Sequence, residues 1–277
     1  MTFDEQININ NTKEFAAEVR KKVIELSHKA KASHLGSALS CVDLLAVLYN
    51  NILRIDPQNP NQTGLDKFIL SKGHAAAAIY TTLAYKKFFP LERLDEYGKD
   101  GGHLCEHPAP FCVPGIEVAT GSLGHGLPIG SGMALASKIK KKTNRIYVLM
   151  SDGECNEGSV WEAALFAASK KLGNLTAIID YNKWQATGRS DEVLGLPSLK
   201  KKWKAFGWET KEIDGHNLKK IFNALKKGPN KTGKPRMIIA NTIKGKGVSF
   251  MEDDNNWHYR IPTEEEVKKA HREIDSK

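Results

Sequence analysis

The sequence of 277 residues lacks any apolar run long enough to cross a membrane, a secretory signal and internal repeats. A membrane helix needs about 18 to 20 consecutive apolar residues, and the polar start MTFDEQININNTKEF is unlike a signal peptide. No C-x-x-C pair occurs among the four cysteines, Cys41, Cys105, Cys112 and Cys155, which argues against a cysteine-based metal or redox site. We therefore expect a soluble, cytoplasmic protein with reduced thiols.

The excess of basic over acidic residues lies almost wholly in the last third of the chain. Residues 1–195 carry 22 basic and 21 acidic side chains, whereas residues 196–277 carry 19 and 11. The lysine clusters there fall within amphipathic helix patterns and lack the interleaved aromatics of a single-strand binder. We interpret them as solvated helix faces and expect neither a nucleic-acid nor a membrane partner.

The clearest structural unit is a β-α-β pattern. Residues 146–150 form a continuous apolar run, typical of a strand buried on both faces, and residues 175–179 predict a second buried strand. A helical pattern covers residues 159–171 between them. Helices and strands continue to alternate, with helices near 198–206 and 217–227 and strands near 209–213 and 237–240. This alternation predicts a doubly wound α/β fold with a mostly parallel sheet and helices on both faces. No linker composition appears, so we expect a single domain over residues 1–277.

The N-terminal half predicts two helices, a strand and a long loop. Asn11 followed by Glu14 resembles a capping box for a helix over residues 12–31. Ser40 is expected to open a second helix that ends before Arg54. A strand at residues 67–70 and a buried helix after His74 should follow. Residues 98–132 are rich in glycine, proline and histidine without periodicity, which is more typical of a binding surface than of a linker.

Asp152 and Asn182 directly follow the two clearest strands. Ligands of parallel sheets gather at the carboxyl ends of the strands, so these side chains should lie side by side. A carboxylate and an amide oxygen suit Mg²⁺ or Ca²⁺ that also binds phosphate oxygens, and Gly153 lets a diphosphate approach the backbone closely. Taken singly, each residue has a simpler explanation, because Asp152 can cap a helix and Asn182 can stabilise a turn.

Six segments, in order, resemble the transketolase family. The longest is SDGECNEGSVWEAALFAASKKLGNLTAIIDYNKWQATG at residues 151–188, which is similar to the thiamine diphosphate motif of that family. The other five are SHLGSALS (33–40), SKGHAAAA (71–78), GGH (101–103), PGIEVATGSLGHGL (114–127) and KGKGVSF (244–250). The resemblance covers the diphosphate-binding half of a transketolase, so the chain looks like the N-terminal subunit of a split transketolase.

The resemblance implies a site for thiamine diphosphate and Mg²⁺. Asp152, the Asn182 side chain and the backbone carbonyl of Trp184 then ligate the metal, and Gly121 and Leu123 lie against the cofactor. His103 is assigned to the donor's C1 hydroxyl and carbonyl. His34 and His258 are assigned to the oxygen that loses a proton, and His74 to contacts with both cofactor and substrate.

Three residues depart from the family pattern. Ser151 replaces the first glycine of the diphosphate motif, His125 stands where glutamine is usual, and Tyr259 stands where glycine is usual. Serine is small, so the first change should preserve cofactor binding. The other two put the identity of the ketose donor and aldose acceptor in doubt, and Tyr259 raises the alternative that His258 is a surface residue.

The implied activity is transfer of a two-carbon ketol unit from a ketose, or its phosphate, to an aldose. The glutamate that activates the cofactor belongs to the family's pyrimidine-binding half, so the resemblance implies an α₂β₂ assembly with a separate C-terminal, pyrimidine-domain subunit. Two alternatives stay open: a subunit of another split thiamine enzyme, of synthase or dehydrogenase type, and a non-catalytic scaffold. The DYNKWQATG ending and the histidines favour transketolase.

Overall fold

A five-stranded, wholly parallel sheet forms the centre of the computed structural model, which describes residues 8–110 and 112–276. The strand order is β1-β2-β3-β5-β4. The strands are β1 (Lys67–Leu70), β2 (Ile146–Ser151), β3 (Leu175–Tyr181), β4 (Glu209–Asp214) and β5 (Arg236–Asn241). Each predicted strand is present, and its ends differ from the prediction by at most two residues.

Ten α-helices surround this sheet in the described part of the chain. They are α1 (Ile9–Ala30), α2 (Leu35–Ser40), α3 (Val42–Val47), α4 (Ala76–Tyr85), α5 (Gly126–Ile139), α6 (Gly158–Ser169), α7 (Ser190–Leu194), α8 (Leu199–Ala205), α9 (Leu218–Leu225) and α10 (Glu264–Asp275). None of the helices between residues 8 and 276 combines the length and apolar character that a bilayer crossing requires.

Two apolar cores lie on opposite faces of the sheet. Along β2, Tyr147 and Leu149 point into a core shared with α1, α3, α4, α9 and α10, whereas Val148 and Met150 point into a core shared with α5, α6 and α8. Alternate residues of a strand face opposite sides, so a strand buried on both faces is expected to be apolar at consecutive positions, as residues 146–150 are. The predicted doubly wound α/β fold is confirmed.

The structure corrects three predicted boundaries. The N-cap of α1 is Asn8, whose side chain accepts a hydrogen bond from the N–H of Asn11, so the capping box predicted at Asn11 is wrong. The helix expected to start at Ser40 is instead α2, a break at Cys41, α3 and a π-helical turn at Leu48–Ile52.

The glycine-rich segment is the third correction, because its irregular part ends at His125, where α5 begins. Gly130 in that helix packs against β2, and a Cβ there would lie 2.5 Å from a methyl group of Val148. Glycine in this segment therefore serves close helix–sheet packing as well as loop geometry.

The candidate site lies at the carboxyl edge of the sheet. Because all five strands are parallel, the segments that follow them meet at one edge. Ser71–His74 follows β1, Asp152 follows β2, Asn182 follows β3 and Thr242–Lys244 follows β5.

Candidate active site

Asp152 is a buried carboxylate at the end of β2, held beside the chain that leaves β3. Its Oδ2 accepts hydrogen bonds from the N–H of Lys183 at 3.0 Å and from the hydroxyl of Ser190 at 2.7 Å. Its Oδ1 accepts one from the N–H of Gly153 at 3.1 Å. These partners are neutral, and burial raises the pKa of Asp152 to about 6. A cation bound here would therefore stabilise the charged carboxylate.

Asn182 is equally buried and adjoins Asp152 through Lys183. Its Oδ1 accepts a hydrogen bond from the N–H of Trp184 at 3.1 Å, and its Nδ2 donates to the hydroxyl of Ser40 at 3.4 Å. An amide oxygen has two lone pairs, so Oδ1 can also bind a cation. The two strand ends predicted as neighbours are thus adjacent, and one carries a carboxylate and the other an amide oxygen.

Trp184 lies in a short hairpin that follows β3 at the carboxyl edge of the sheet. The N–H of Ser190 donates to the carbonyl of Lys183 at 3.0 Å, and Trp184 faces Arg189 across the hairpin. The Arg189 guanidinium lies 3.7 Å from the centre of the Trp184 ring and donates to both carboxylate oxygens of Asp253, at 2.7 and 2.8 Å. The Trp184 ring N–H donates to the same carboxylate at 2.8 Å. These contacts fix the backbone predicted to supply a metal ligand.

Four imidazoles meet next to these strand ends. We call His34, His74, His107 and His258 the histidine cluster. The ring centre of His34 lies 5.4 Å from that of His74, 5.6 Å from that of His107 and 4.9 Å from that of His258. His258 is only 8 % exposed, and its backbone carbonyl accepts a hydrogen bond from the N–H of His34 at 2.7 Å. His258 is therefore not a surface residue, although the neighbouring Tyr259 is 62 % exposed.

His103 lies outside the histidine cluster. Its side chain is exposed, and its backbone N–H donates to a carboxylate oxygen of Glu96 at 3.3 Å. The same loop instead brings His107 to His34. His107 is the functional candidate that the sequence analysis missed. It lies four residues after His103, and the proline that follows it, Pro108, is the feature of the sequence that distinguishes it.

Three members of the histidine cluster, His34, His74 and His258, are held in their neutral form. Burial, together with the positive charges nearby, lowers the pKa of His34 to about 4 and that of His258 to about 3. Burial and the Lys72 ammonium lower the pKa of His74 as well. The Lys244 Nζ lies 3.0 Å from Nδ1 of His258, and burial lowers the pKa of this lysine to about 8. Neutral imidazoles both accept and donate protons, which suits proton transfer at sugar hydroxyl groups.

Glycines allow two loops of the site to touch. Gly73, just before His74, packs on the 120–121 peptide, because a Cβ on Gly73 would lie 2.7 Å from the backbone nitrogen of Gly121. Gly121 has a φ of +150° and packs against the ring of His107, whose Cδ2 lies 3.2 Å from an added Cβ. Side chains at either position would separate residues 120–121 from His74 and His107.

Glu154 fastens the loop that contains Leu123 to the sheet edge. Its buried carboxylate accepts hydrogen bonds from the hydroxyl of Ser71, from the N–H of Gly124 at 3.0 Å and from the N–H of Ser151 at 2.8 Å. Sequence reasoning missed this residue because its role depends on a loop that is thirty residues away in the chain. The Glu154 carboxylate therefore holds this loop in place, in contrast to the Asp152 carboxylate on the other side of Gly153.

The parallel sheet and the polar carboxyl edge are typical of an α/β enzyme that binds a phosphorylated ligand. Residues 11–276 match the family described as transketolase, thiamine diphosphate binding domain. The chain belongs to the transketolase family.

Two relatives have nearly the same length as this chain. It is 45 % identical over 258 residues to a subunit of the apulose-4-phosphate transketolase of Phocaeicola vulgatus, covering 93 % of this chain and 92 % of that protein. It is 43 % identical over 257 residues to a subunit of the 6-deoxy-6-sulfo-D-fructose transketolase of a Clostridium species, covering 93 % and 94 %. The predicted N-terminal subunit of a thiamine diphosphate-dependent transketolase, a transferase, is confirmed.

A solved transketolase shows how much of the full-length enzyme this fold represents. The crystal structure of transketolase from Campylobacter jejuni superposes with a TM-score of 0.91 at 31 % identity and covers 97 % of this chain. The chain spans only 43 % of that transketolase. The thiamine diphosphate-binding fold is therefore confirmed, and the individual residue roles stay predictions.

Proposed function

We propose that the carboxyl edge of the sheet binds thiamine diphosphate through Mg²⁺ or Ca²⁺. The observation that carries this proposal is the placement of Asp152 and Asn182 on adjacent strand ends. A single carboxylate and an amide oxygen make a weak site for a bare metal, but diphosphate oxygens complete a hard-oxygen shell. Residues Asp152 and Asn182 with the Trp184 carbonyl would hold the metal, and Gly121, Leu123 and Gly153 would lie against the diphosphate.

The reaction we propose is transfer of a two-carbon ketol unit from a ketose to an aldose. Bound thiamine diphosphate supplies a nucleophilic carbon and a sink for negative charge. This chain supplies the histidine cluster, where His34 and His258 accept and return the proton of the sugar hydroxyl. His74 contacts both cofactor and substrate. The geometry supports His107, in place of His103, at the donor's C1 hydroxyl and carbonyl.

We also propose that a C-terminal, pyrimidine-domain subunit completes the enzyme as an α₂β₂ assembly. Two relatives of this length are named as transketolase subunits, and the chain spans less than half of a full-length transketolase. The relatives' names concern a sugar phosphate and a sulfonated sugar, so the substrate class proposed here is a ketose and an aldose, phosphorylated or otherwise anionic.

The single-domain organisation over residues 1–277 and a cytoplasmic location belong to the same proposal. One sheet with a core on each face supports the first. All four cysteines are free thiols, which favours a reducing compartment.

Reconstitution tests the function. The purified chain is assayed for ketol transfer alone and after mixing with a pyrimidine-domain transketolase subunit, with Mg²⁺ and thiamine diphosphate present. We expect turnover only in the mixture, with a mass from light scattering that fits two copies of each subunit. Turnover by the chain alone would contradict the division into subunits. A stable mixed complex that transfers ketol units from neither phosphorylated nor sulfonated ketoses would contradict the reaction.

A further inference from the structure

Asp180 is a second buried carboxylate at the carboxyl edge of the sheet, and its side chain is fully shielded from solvent. It lies in β3, two residues before Asn182. Its Oδ2 forms an ion pair with the Lys72 ammonium and accepts a hydrogen bond from the hydroxyl of Ser40 at 2.5 Å. Its Oδ1 accepts a hydrogen bond from the hydroxyl of Thr242. One carboxylate therefore binds three separate segments of the chain.

Each of these segments carries a member of the site. Lys72 lies two residues before His74, and Ser40 ends the short helix that begins next to His34. Thr242 lies two residues before Lys244, whose ammonium contacts Nδ1 of His258 at 3.0 Å.

Two further contacts strengthen the connection. Lys72 also donates to the backbone carbonyl of Ser37 at 2.9 Å, within the helix that follows His34. The Ser40 hydroxyl, besides donating to Asp180, receives a hydrogen bond from the amide of Asn182 at 3.4 Å. The cofactor side and the histidine side of the site are thus linked through the same buried group.

We propose that Asp180 is a positioning residue that sets where His34, His74 and His258 stand relative to Asn182. It touches neither substrate nor cofactor and acts through Ser40, Lys72 and Thr242. This role in catalysis rests on the proposed function, whereas its effect on the histidine geometry does not. A neutral replacement leaves the Lys72 ammonium buried without its counter-charge, so the three segments can no longer be held in one arrangement.

The chain contains a matched control at the opposite edge of the sheet. Asp66 precedes β1, and its side chain is likewise fully shielded from solvent. It is bound by Arg54 and Arg145 and accepts the backbone N–H of Arg145 at 2.8 Å. Asp66→Asn therefore removes a comparable buried charge far from the histidine cluster.

The first experiment measures the NMR signals of the histidine side chains in the chain without its partner subunit. The ¹⁵N resonances of the imidazoles are recorded for the wild type, Asp180→Asn and Asp66→Asn, with assignments from His→Gln variants. We expect Asp180→Asn to shift or broaden the signals of His34, His74 and His258, and Asp66→Asn to leave them in place while losing similar thermal stability. Equal spectra for the two variants would overturn the proposal.

Substitutions at Thr242 test the same role more gently. Thr242→Val removes one hydrogen bond to Asp180 but keeps the ion pair, and Thr242→Ser restores the hydroxyl. If Asp180→Asn does not fold, a shift of the imidazole signals in Thr242→Val that Thr242→Ser reverses supports the proposal. Wild-type signals in Thr242→Val would then overturn it.

Turnover in the reconstituted enzyme gives the catalytic readout. Misplacement of catalytic groups by about 1 Å costs on the order of 10²-fold in rate, so kcat should fall by about that factor in Asp180→Asn and stay near the wild-type value in Asp66→Asn. If no variant shows ketol transfer because the proposed function is wrong, the imidazole spectra still decide the positioning role. A kcat loss that is equal in both variants at equal folded fraction would contradict it.

Discussion

At the scale of single residues, the choice between two histidines of one loop is the sharpest test of the site. The His107 ring contacts that of His34 in the histidine cluster, whereas His103 lies outside the cluster, although both side chains are exposed. A positioned proton-transfer group contributes on the order of 10² to 10⁴-fold in rate. We expect His107→Ala to lower kcat of the reconstituted enzyme by at least about 10²-fold, and His103→Ala to change it only slightly. The reverse result would restore the assignment made from the sequence.

A second prediction at this scale concerns Asp152. Asp152→Ala should abolish Mg²⁺-dependent binding of thiamine diphosphate in the assembled enzyme, because it removes the one carboxylate proposed to ligate the metal. Asn182→Ala should have a smaller effect, since water can replace a neutral ligand. Isothermal titration calorimetry with and without Mg²⁺ measures both. Unchanged cofactor affinity in Asp152→Ala would rule out the proposed metal site.

The sequence predicted the placement of residues at strand ends but not that of residues in the loop. Asp152 and Asn182 could be paired from the sequence because parallel strands bring their ends to one edge. No comparable rule applies to residues 98–125, where nothing periodic indicates which histidine contacts His34. Asp180 and Glu154 bind partners that are distant in the chain, and no local pattern in the sequence marks such contacts.

At the scale of elements, all the strands were predictable to within two residues at each end, whereas helix boundaries, and the helices α5, α7 and α10 as a whole, were not. Apolar runs identified β2 and β3 because both faces of these strands are covered. The break between α2 and α3 was missed because the buried apolar stripe continues through it. Serine is a preferred residue at helix N-termini, but the Ser40 hydroxyl instead donates to Asp180 and to the carbonyl of Ser37. Tertiary contacts overrode a local signal.

The contact between two loops gives a prediction at this scale. Gly73→Ala should push residues 120–121 away from His74, since the added Cβ would lie 2.7 Å from backbone atoms. We expect weaker thiamine diphosphate binding in the assembled enzyme and a lower melting temperature of the chain. Gly132→Ala is the matched control, because its Cβ would meet open space within α5 and should stabilise the chain by about 0.5 to 1 kcal/mol. Wild-type cofactor affinity in Gly73→Ala would contradict the tight packing of the loops.

At the scale of the whole molecule, buried neutral histidines make stability depend on pH. The unfolded chain binds a proton on His258 below about pH 6.5, whereas burial keeps the folded imidazole neutral down to about pH 3. The unfolded state then binds more protons, so stability contributed by this group is complete above pH 6.5 and is lost as the pH falls.

Urea unfolding of the chain at pH 5.5 and 7.5 measures this effect. His258→Gln should reduce the loss of stability by up to about 1.4 kcal/mol per pH unit, whereas the exposed His103→Gln should behave like the wild type. Asp152 has the opposite effect on the pH dependence of stability, because burial raises its pKa to about 6. This contribution is the same in all three proteins. An unchanged pH dependence in His258→Gln would show that this imidazole is not neutral by burial.

The pairing of β1 with β2 has a consequence for the order of folding. Lys67 pairs with Ile146, whereas Ile146 pairs with Leu175, so joining β1 closes a far longer loop than joining β3. Longer loops cost more entropy to close and slow the formation of non-local structure. We therefore expect the β2-α6-β3 unit to form early. The long segment between β1 and β2, which contains His74, His107 and Gly121, should reach its native structure late. Refolding chains should regain most of their helical circular dichroism before they can bind the cofactor.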